Sequence, residues 1–206
     1  MTKIKLCGLS RICDIEAANA LQPDYIGFVF APGSRRRVSV QTALELKQAL
    51  LPDITAVGVF VDEEAERVAG LLNKGIIDMA QLHGHEDEAY VEKLRTLTDH
   101  KLIQAFRIRT MEDVRKACRS RADYVLLDSG AGTGRPFDRE LAREADRPYF
   151  LAGGLDPEHV GEAIRELAPY AVDVSSGIET DGLKDPEKMA AFVRAVRERS
   201  SRKEGM

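Results

Sequence analysis

An alternation of apolar and amphipathic segments runs the whole length of this chain and constrains its fold more than any other feature. Apolar runs of strand length are followed by amphipathic runs of helix length, eight times in succession. The strand segments are apolar almost throughout, which is typical of parallel strands covered on both faces. Eight such units favour a closed barrel over an open sheet. The sequence therefore predicts an α/β fold of the TIM (β/α)8-barrel type, with residues 1–206 forming a single domain.

The predicted elements follow one another with short connections. Strands are expected at residues 4–6, 25–30, 56–61, 79–82, 102–106, 123–127, 149–152 and 171–174. Helices are expected at about 13–21, 40–50, 63–73, 87–97, 111–118, 138–144, 157–167 and 186–198. Asp156-Pro157 and Asp185-Pro186 each place an N-cap residue before a proline, which predicts a helix start at both prolines. The polar tail after residue 199 is expected to be frayed.

Charge and hydropathy exclude several classes of partner. With a net charge of −4, the chain has no general electrostatic reason to bind nucleic acid or an anionic membrane. Its longest apolar runs fall far short of the roughly 20 residues that a membrane-spanning helix needs. The first six residues are too polar for a signal peptide. A cytoplasmic protein without a nucleic-acid or membrane partner is expected.

Three cysteines are present, at positions 7, 13 and 118. They cannot all pair with one another, and no CxxC or Cys/His spacing suggests a metal site. We expect free thiols and no bound metal. Cys13 and Cys118 are interpreted as small packing residues.

Candidate functional residues lie where the predicted strands end, since barrels of this kind carry their functional groups at that edge. Glycines and small hydroxyl residues follow the seventh and eighth strands: Gly153, Gly154, Ser175, Ser176 and Gly177. Each group alone could be an ordinary turn. Together, in these two loops, they predict a phosphate site and hence a small phosphorylated substrate.

Cys7 and Asp128 end the first and sixth predicted strands and form a candidate acid–base pair. A thiol acts as a base when its pKa is lowered, and a desolvated carboxyl can act as an acid. Taken singly, each residue is explained at least as well by packing or by capping a loop. The combination of this pair with a predicted phosphate site at the same edge of the barrel favours a catalytic role for both residues.

Polar residues beside these ends complete the candidate site. Gln81 and His83, on and after the fourth strand, are expected to line the pocket. Arginines at positions 35, 36 and 37 form either a solvated loop or an anion clamp, with one or two of them pointing inward.

Several segments resemble the phosphoribosylanthranilate isomerase family, in order and in spacing, from residue 3 to the last helix. They are KLCGL (5–9), GFVFAPGSRR (27–36), VGVFV (57–61), QLHG (81–84), LLDS (126–129), GTGRPFD (132–138), AGGL (152–155) and VDVSSGIE (172–179). One such motif is weak evidence, whereas all of them in register are highly specific.

The resemblance implies an Amadori rearrangement in tryptophan biosynthesis, which converts N-(5-phospho-β-D-ribosyl)anthranilate to 1-(2-carboxyphenylamino)-1-deoxyribulose 5-phosphate. By the family's pattern Cys7 is the general base, Asp128 the general acid and Arg36 the residue that holds the anthranilate carboxylate. The two glycine- and serine-containing loops match the phosphate cradle. No metal or organic cofactor is implied, because the anthranilate nitrogen serves as the electron sink.

Two other functions stay open. An isomerase acting on an aminoimidazole ribonucleotide in histidine synthesis resembles this scaffold, but it uses two aspartates, and here the first-strand position is Cys7. A non-catalytic phosphosugar-binding barrel would be favoured by the loss of either Cys7 or Asp128. Oligomeric state is expected to be monomer or homodimer.

Overall fold

The computed structural model describes residues 1–128, 130 and 139–201. Ser129, the whole GTGRPFD motif (132–138) and the end of the tail from residue 202 lie outside the described residues. The last residue of that motif is Asp138, near which the sixth helix is expected to begin.

Eight parallel strands form a closed barrel in sequence order, and β1 pairs with β8 to complete it. They are β1 Lys3–Cys7, β2 Tyr25–Val29, β3 Thr55–Phe60, β4 Met79–Leu82, β5 Lys101–Arg107, β6 Tyr124–Asp128, β7 Tyr149–Ala152 and β8 Ala171–Val174. Each strand lies within two residues of its predicted position. The predicted TIM (β/α)8 barrel is confirmed.

Helices connect the strands on the outside of the barrel. They are α1 Ile12–Leu21, α2 Val40–Ala49, α3 Ala65–Asn73, α4 Glu88–Leu97, α5 Met111–Arg119, α6 Arg139–Arg143, α7 Val160–Leu167 and α8 Pro186–Ser201. Within the described residues, no helix combines the length and apolar composition needed to cross a membrane.

The two proline-based helix starts have different outcomes. Helix α8 begins at Pro186 as predicted, and the Asp185 carboxylate accepts hydrogen bonds from the Glu187 and Lys188 N–H groups. The prediction at Pro157 is wrong, because α7 begins at Val160. There the Asp156 carboxylate stabilises a separate turn, accepting from the N–H groups of residues 158 and 159.

A short antiparallel hairpin after β8 was not predicted. A 3₁₀ turn, Ser176–Ile178, leads into β9 Glu179–Thr180, which pairs with β10 Leu183–Lys184. Strands of two residues carry too little periodicity to be found from sequence. The hairpin lies beside the carboxyl end of β8, and both β9 and β10 contribute charged groups to that edge of the barrel.

The barrel interior changes character along its axis. At the amino end, the rings of Tyr25, Tyr124, Phe150 and Tyr170 pack together with centroids 5.1–5.7 Å apart. The ammonium of Lys3 lies over two of these rings. This aromatic layer fills the interior at the end opposite to the predicted site.

Candidate active site

A cavity of about 740 Å³ opens at the carboxyl ends of the strands. Nine of the ten residues predicted for the site line it: Cys7, Arg36, Gln81, His83, Asp128, Gly153, Gly154, Ser175 and Ser176. Gly177 is the exception. A volume of this size suits a substrate of a few hundred daltons.

Gly177 supports the cavity wall without forming part of it. A Cβ atom at this position would lie 2.0 Å from the carbonyl oxygen of Leu155, so only glycine allows the loop after β8 to pack on the loop after β7. In the loop after β7, Gly153 and Gly154 adopt φ values of 95° and 65°, which favour glycine. Glycine at these three positions therefore shapes the wall that carries Ser175 and Ser176.

Cys7 ends β1 and is 7% exposed, packed with Val29, Ala31 and Val59. Gly27 on the neighbouring strand leaves room for the thiol: a Cβ there would lie 2.6 Å from the Cys7 Sγ. The sulfur is therefore held in a narrow apolar notch that opens into the cavity.

An ion pair lies deeper in the barrel, next to Cys7. The Lys5 Nζ donates to both carboxylate oxygens of Asp173, at 3.0 and 3.1 Å, and the two side chains are 0% and 8% exposed. Strands β1 and β8 place the two residues in register. Burial raises the pKa of the Cys7 thiol, as does the charge of Asp173, while Lys5 and Lys184 act in the opposite direction. The net pKa is above the usual value, so the thiol is protonated at neutral pH.

Asp128 ends β6 and accepts a hydrogen bond from the Gly130 N–H at 2.8 Å. Burial favours its neutral form, but the hydrogen bonds from His83 and Gly130 and the charge of Arg107 lower its pKa below the usual value. Asp128 is therefore ionised at neutral pH.

A polar chain from β4 leads to Asp128. The Gln81 Nε2 lies 2.7 Å from the His83 Nδ1, and the His83 Nε2 lies 3.4 Å from the Asp128 Oδ2. With the amide donating to Nδ1, the ring proton is on Nε2, facing the carboxylate. The Gln81 Oε1 is buried and has no hydrogen-bond partner in the described part of the chain.

Glu179 of β9 binds three cations at the edge of the cavity. The Arg36 Nε and Nη2 donate to its two oxygens at 2.5 and 2.8 Å, and Arg35 and Lys184 donate at 2.6 and 2.7 Å. Burial opposes ionisation of this carboxyl, but Arg36 and Lys184 lower its pKa to about 2. Among the described residues, the Arg36 hydrogen bonds to Glu179 use Nε and Nη2, which leaves Nη1 for a ligand.

The position of the other two arginines distinguishes them from Arg36. Arg35 is mostly exposed and reaches Glu179 from outside, and Arg37 is exposed beside its backbone bridge to Val29. Arg36 is the one of the three that lines the cavity.

Several charged residues near the cavity were not assigned a role from the sequence, among them Lys5, Asp173 and Glu179. A signal for the first two was present. A charged residue in the middle of a strand covered on both faces must turn into the barrel, and Lys5 shares its face with Cys7 two residues on. Glu179 carried no such signal, because it lies in the hairpin that was not predicted.

The fold and the cavity define a (β/α)8-barrel enzyme with its polar site at the carboxyl ends of the strands. The family model described as N-(5'phosphoribosyl)anthranilate (PRA) isomerase matches residues 4–195. The chain belongs to this family.

Known proteins agree with this assignment. The chain is 44% identical to N-(5'-phosphoribosyl)anthranilate isomerase of Caldanaerobacter subterraneus subsp. tengcongensis, over 96% of this chain and 98% of the relative. It superposes with a TM-score of 0.86, at 33% identity, on a phosphoribosyl anthranilate isomerase solved with reduced 1-(o-carboxyphenylamino)-1-deoxyribulose 5-phosphate, covering 96% and 100% of the two chains.

A second solved structure concerns oligomeric form. Monomers generated from the dimeric phosphoribosylanthranilate isomerase of Thermotoga maritima match with a TM-score of 0.85 at 33% identity, again over 96% and 100% of the two chains.

Proposed function

We propose that this chain isomerises N-(5'-phosphoribosyl)anthranilate to 1-(2-carboxyphenylamino)-1-deoxyribulose 5-phosphate in tryptophan biosynthesis, with Cys7 as general base and Asp128 as general acid. The observation that carries the assignment of roles is that one cavity collects both groups, together with Arg36 and the loops after β7 and β8.

The charges of the substrate match those of the cavity. The substrate carries a phosphate at one end and a carboxylate at the other. In our proposal the phosphate lies against Gly153, Gly154, Ser175 and Ser176, whose backbone N–H and hydroxyl groups donate to anions. The carboxylate pairs with the Nη1 edge of Arg36, which Glu179 holds in place through its other two nitrogens.

Ring opening is assigned to Asp128. Its carboxyl proton passes to the furanose ring oxygen while the anthranilate nitrogen donates its lone pair to C1, so that the C1–O bond breaks and a protonated Schiff base forms. His83 and Gln81 hold the carboxylate in position through the polar chain from β4.

Proton abstraction is assigned to Cys7. The thiolate removes the proton from C2, and the electrons of the C–H bond neutralise the Schiff base to an enolamine. The enolamine then tautomerises to the ketone. The positive charge of the Schiff base lies next to C2, so it lowers the pKa of a nearby thiol at the moment when the base is required.

The resting protonation states are the reverse of those needed, because Cys7 is protonated and Asp128 is ionised. The pair holds one proton in either case, and only its location differs. An anionic substrate raises the pKa of Asp128, since a second negative charge disfavours the carboxylate. Substrate binding therefore favours the protonated Asp128 that ring opening needs, and the charge of the Schiff base then favours the thiolate.

Conservative variants of the two residues test the proposal. We expect Cys7→Ser and Asp128→Asn to retain the fold and to lose at least about 10²-fold in kcat, the usual contribution of a positioned acid or base. Turnover is followed by the change in anthranilate fluorescence. Cys118→Ser, which alters a thiol on α5 outside the cavity, serves as the matched control and should keep wild-type kcat. Activity within tenfold of wild type in either site variant would refute the assignment.

The same assay separates the other functions. An aminoimidazole ribonucleotide offered in parallel distinguishes a histidine-pathway isomerase, which the Cys7 position argues against. Product binding without turnover would identify a non-catalytic barrel. A cytoplasmic location, a single domain over residues 1–206 and a monomer or homodimer stay part of the proposal.

A further inference from the structure

The Lys5–Asp173 pair occupies a place where the fold does not require charge. Both side chains lie inside the barrel, and both oxygens of Asp173 are bound by the one ammonium. Removing two charges from water costs about as much as their attraction returns, so a buried ion pair is weak evidence for stability. The interior layer below it is aromatic and apolar. Apolar residues at positions 5 and 173 would extend that layer.

The Lys5–Asp173 pair lies next to the Cys7 thiol. Residues 5 and 7 of one strand point to the same face, so the Lys5 side chain lies directly below the thiol. Gly27, opposite Cys7 on β2, adds no side chain beside the thiol. Asp173 lines the same cavity as Cys7. The ammonium therefore has two acidic neighbours, a carboxyl and a thiol, and can neutralise one anion fully.

We propose that the Lys5–Asp173 pair controls the ionisation of Cys7, with Lys5 as the counter-cation of the thiolate and Asp173 as the competitor for that cation. Both are positioning residues, and their role in turnover rests on the proposed function above.

Other charged groups face Cys7 from several elements. Lys184 of β10 and Arg36 of the loop after β2 interact with its charge, and both are bound to Glu179. The far wall of the cavity carries His83 of β4, Arg107 of β5 and Asp128 of β6. Lys184 and Arg36 share one carboxylate, Glu179, with Arg35, and Glu179 does not line the cavity. Lys5 differs, because it forms a one-to-one pair with an anion that lies in the cavity beside Cys7.

Opposite effects of the two single variants distinguish this role from a structural one. In Asp173→Asn the buried ammonium keeps its charge only if Cys7 becomes its anion, so the thiol ionises at lower pH. In Lys5→Met the thiol loses its cation, so it ionises at higher pH. The double variant removes both charges and lies between the two. A purely structural pair would give changes in one direction, toward a disordered site.

The experiment measures the pH dependence of Cys7 alkylation by iodoacetamide in unliganded protein, with Cys13→Ser and Cys118→Ser as the background. Mass spectrometry of the Cys7 peptide gives the rate at each pH. We expect the inflection to fall by about 1 pH unit or more in Asp173→Asn and to rise by a similar amount in Lys5→Met. Lys184→Met is the matched control: its ammonium donates to Ser175 and Glu179 and not to Asp173, so the inflection should move less than in Lys5→Met.

The outcomes are separable. Shifts in the same direction, or no shift in either variant, overturn the proposal. Should Asp173→Asn fail to fold, as judged by circular dichroism, Lys5→Met and the double variant still decide, because the double variant must ionise at lower pH than Lys5→Met. Alkylation needs no substrate. Opposite shifts in a protein without isomerase activity would therefore uphold control by the pair and refute the proposed function alone.

Discussion

Gly27 gives the sharpest test of how closely the base must be positioned. A Cβ atom at this residue would lie 2.6 Å from the Cys7 Sγ and 3.1 Å from the Cys7 Cα. Ordinary van der Waals contact begins at about 3.4 Å, so Gly27→Ala requires the sulfur to move by about 0.8 Å. The added Cβ would also be too close to the Cys7 Cα, so the backbone of β1 must move as well as the sulfur.

We expect this displacement to reduce kcat strongly while leaving the fold intact. A misplacement of about 1 Å in a catalytic group costs on the order of 10²-fold in rate, or about 2.7 kcal/mol in activation free energy. Overpacking costs about 1–3 kcal/mol in stability. The assay is fluorescence-monitored turnover at saturating substrate, with a thermal melt of each variant.

Gly70→Ala is the matched control. Gly70 lies in α3 with no heavy atom within 4 Å of the added Cβ, so the substitution should preserve kcat. It should also raise stability by up to about 1 kcal/mol, because alanine favours a helix. A folded Gly27→Ala protein with kcat within threefold of wild type would show that the notch does not position the base.

Two further predictions concern Glu179 and Asp185. The pKa of Glu179 is lowered to about 2 in the folded protein, so its ionisation contributes stability above the unfolded pKa of about 4.3 and loses it as pH falls through about 2. Glu179→Gln should lessen this acid sensitivity, as judged by urea unfolding at pH 6 and pH 3. Between these two pH values the difference is at most about 2 kcal/mol before solvent screening. The same acid-dependent loss in both proteins would contradict the argument. Asp185→Ala removes the N-cap of α8 and should lower the free energy of unfolding by about 1 kcal/mol without changing kcat, and an unchanged melting temperature would count against the cap.

The barrel could be predicted because its signal is repeated. Each apolar run must be buried, and eight parallel strands covered by helices have few other ways to achieve this. Individual boundaries depend on local contacts instead. Asp156 binds the N–H groups of its own turn and delays the start of α7, whereas Asp185, before an identical proline, caps α8 directly. The dipeptide alone does not distinguish the two.

Some cavity residues could be predicted from their position along a strand. Two of them, Cys7 and Asp128, end strands, and the two serines directly follow β8. The carboxyl ends of all strands meet at one edge of a barrel, so these residues were expected to lie together. The interactions among them depend on the register around the barrel. That Gly27 faces the thiol, and that Lys5 faces Asp173 across the β1–β8 closure, follows from strand pairing, which no segment of the sequence reveals by itself.

The closure between β1 and β8 has a consequence for how the barrel is assembled. Lys5 lies in the first barrel strand, and its counter-ion Asp173 lies in the last. Until these two strands pair, the ammonium has no carboxylate from β8, and leaving it in water is less costly than burying it alone. The environment of Cys7 is therefore complete only when β8 is docked on β1.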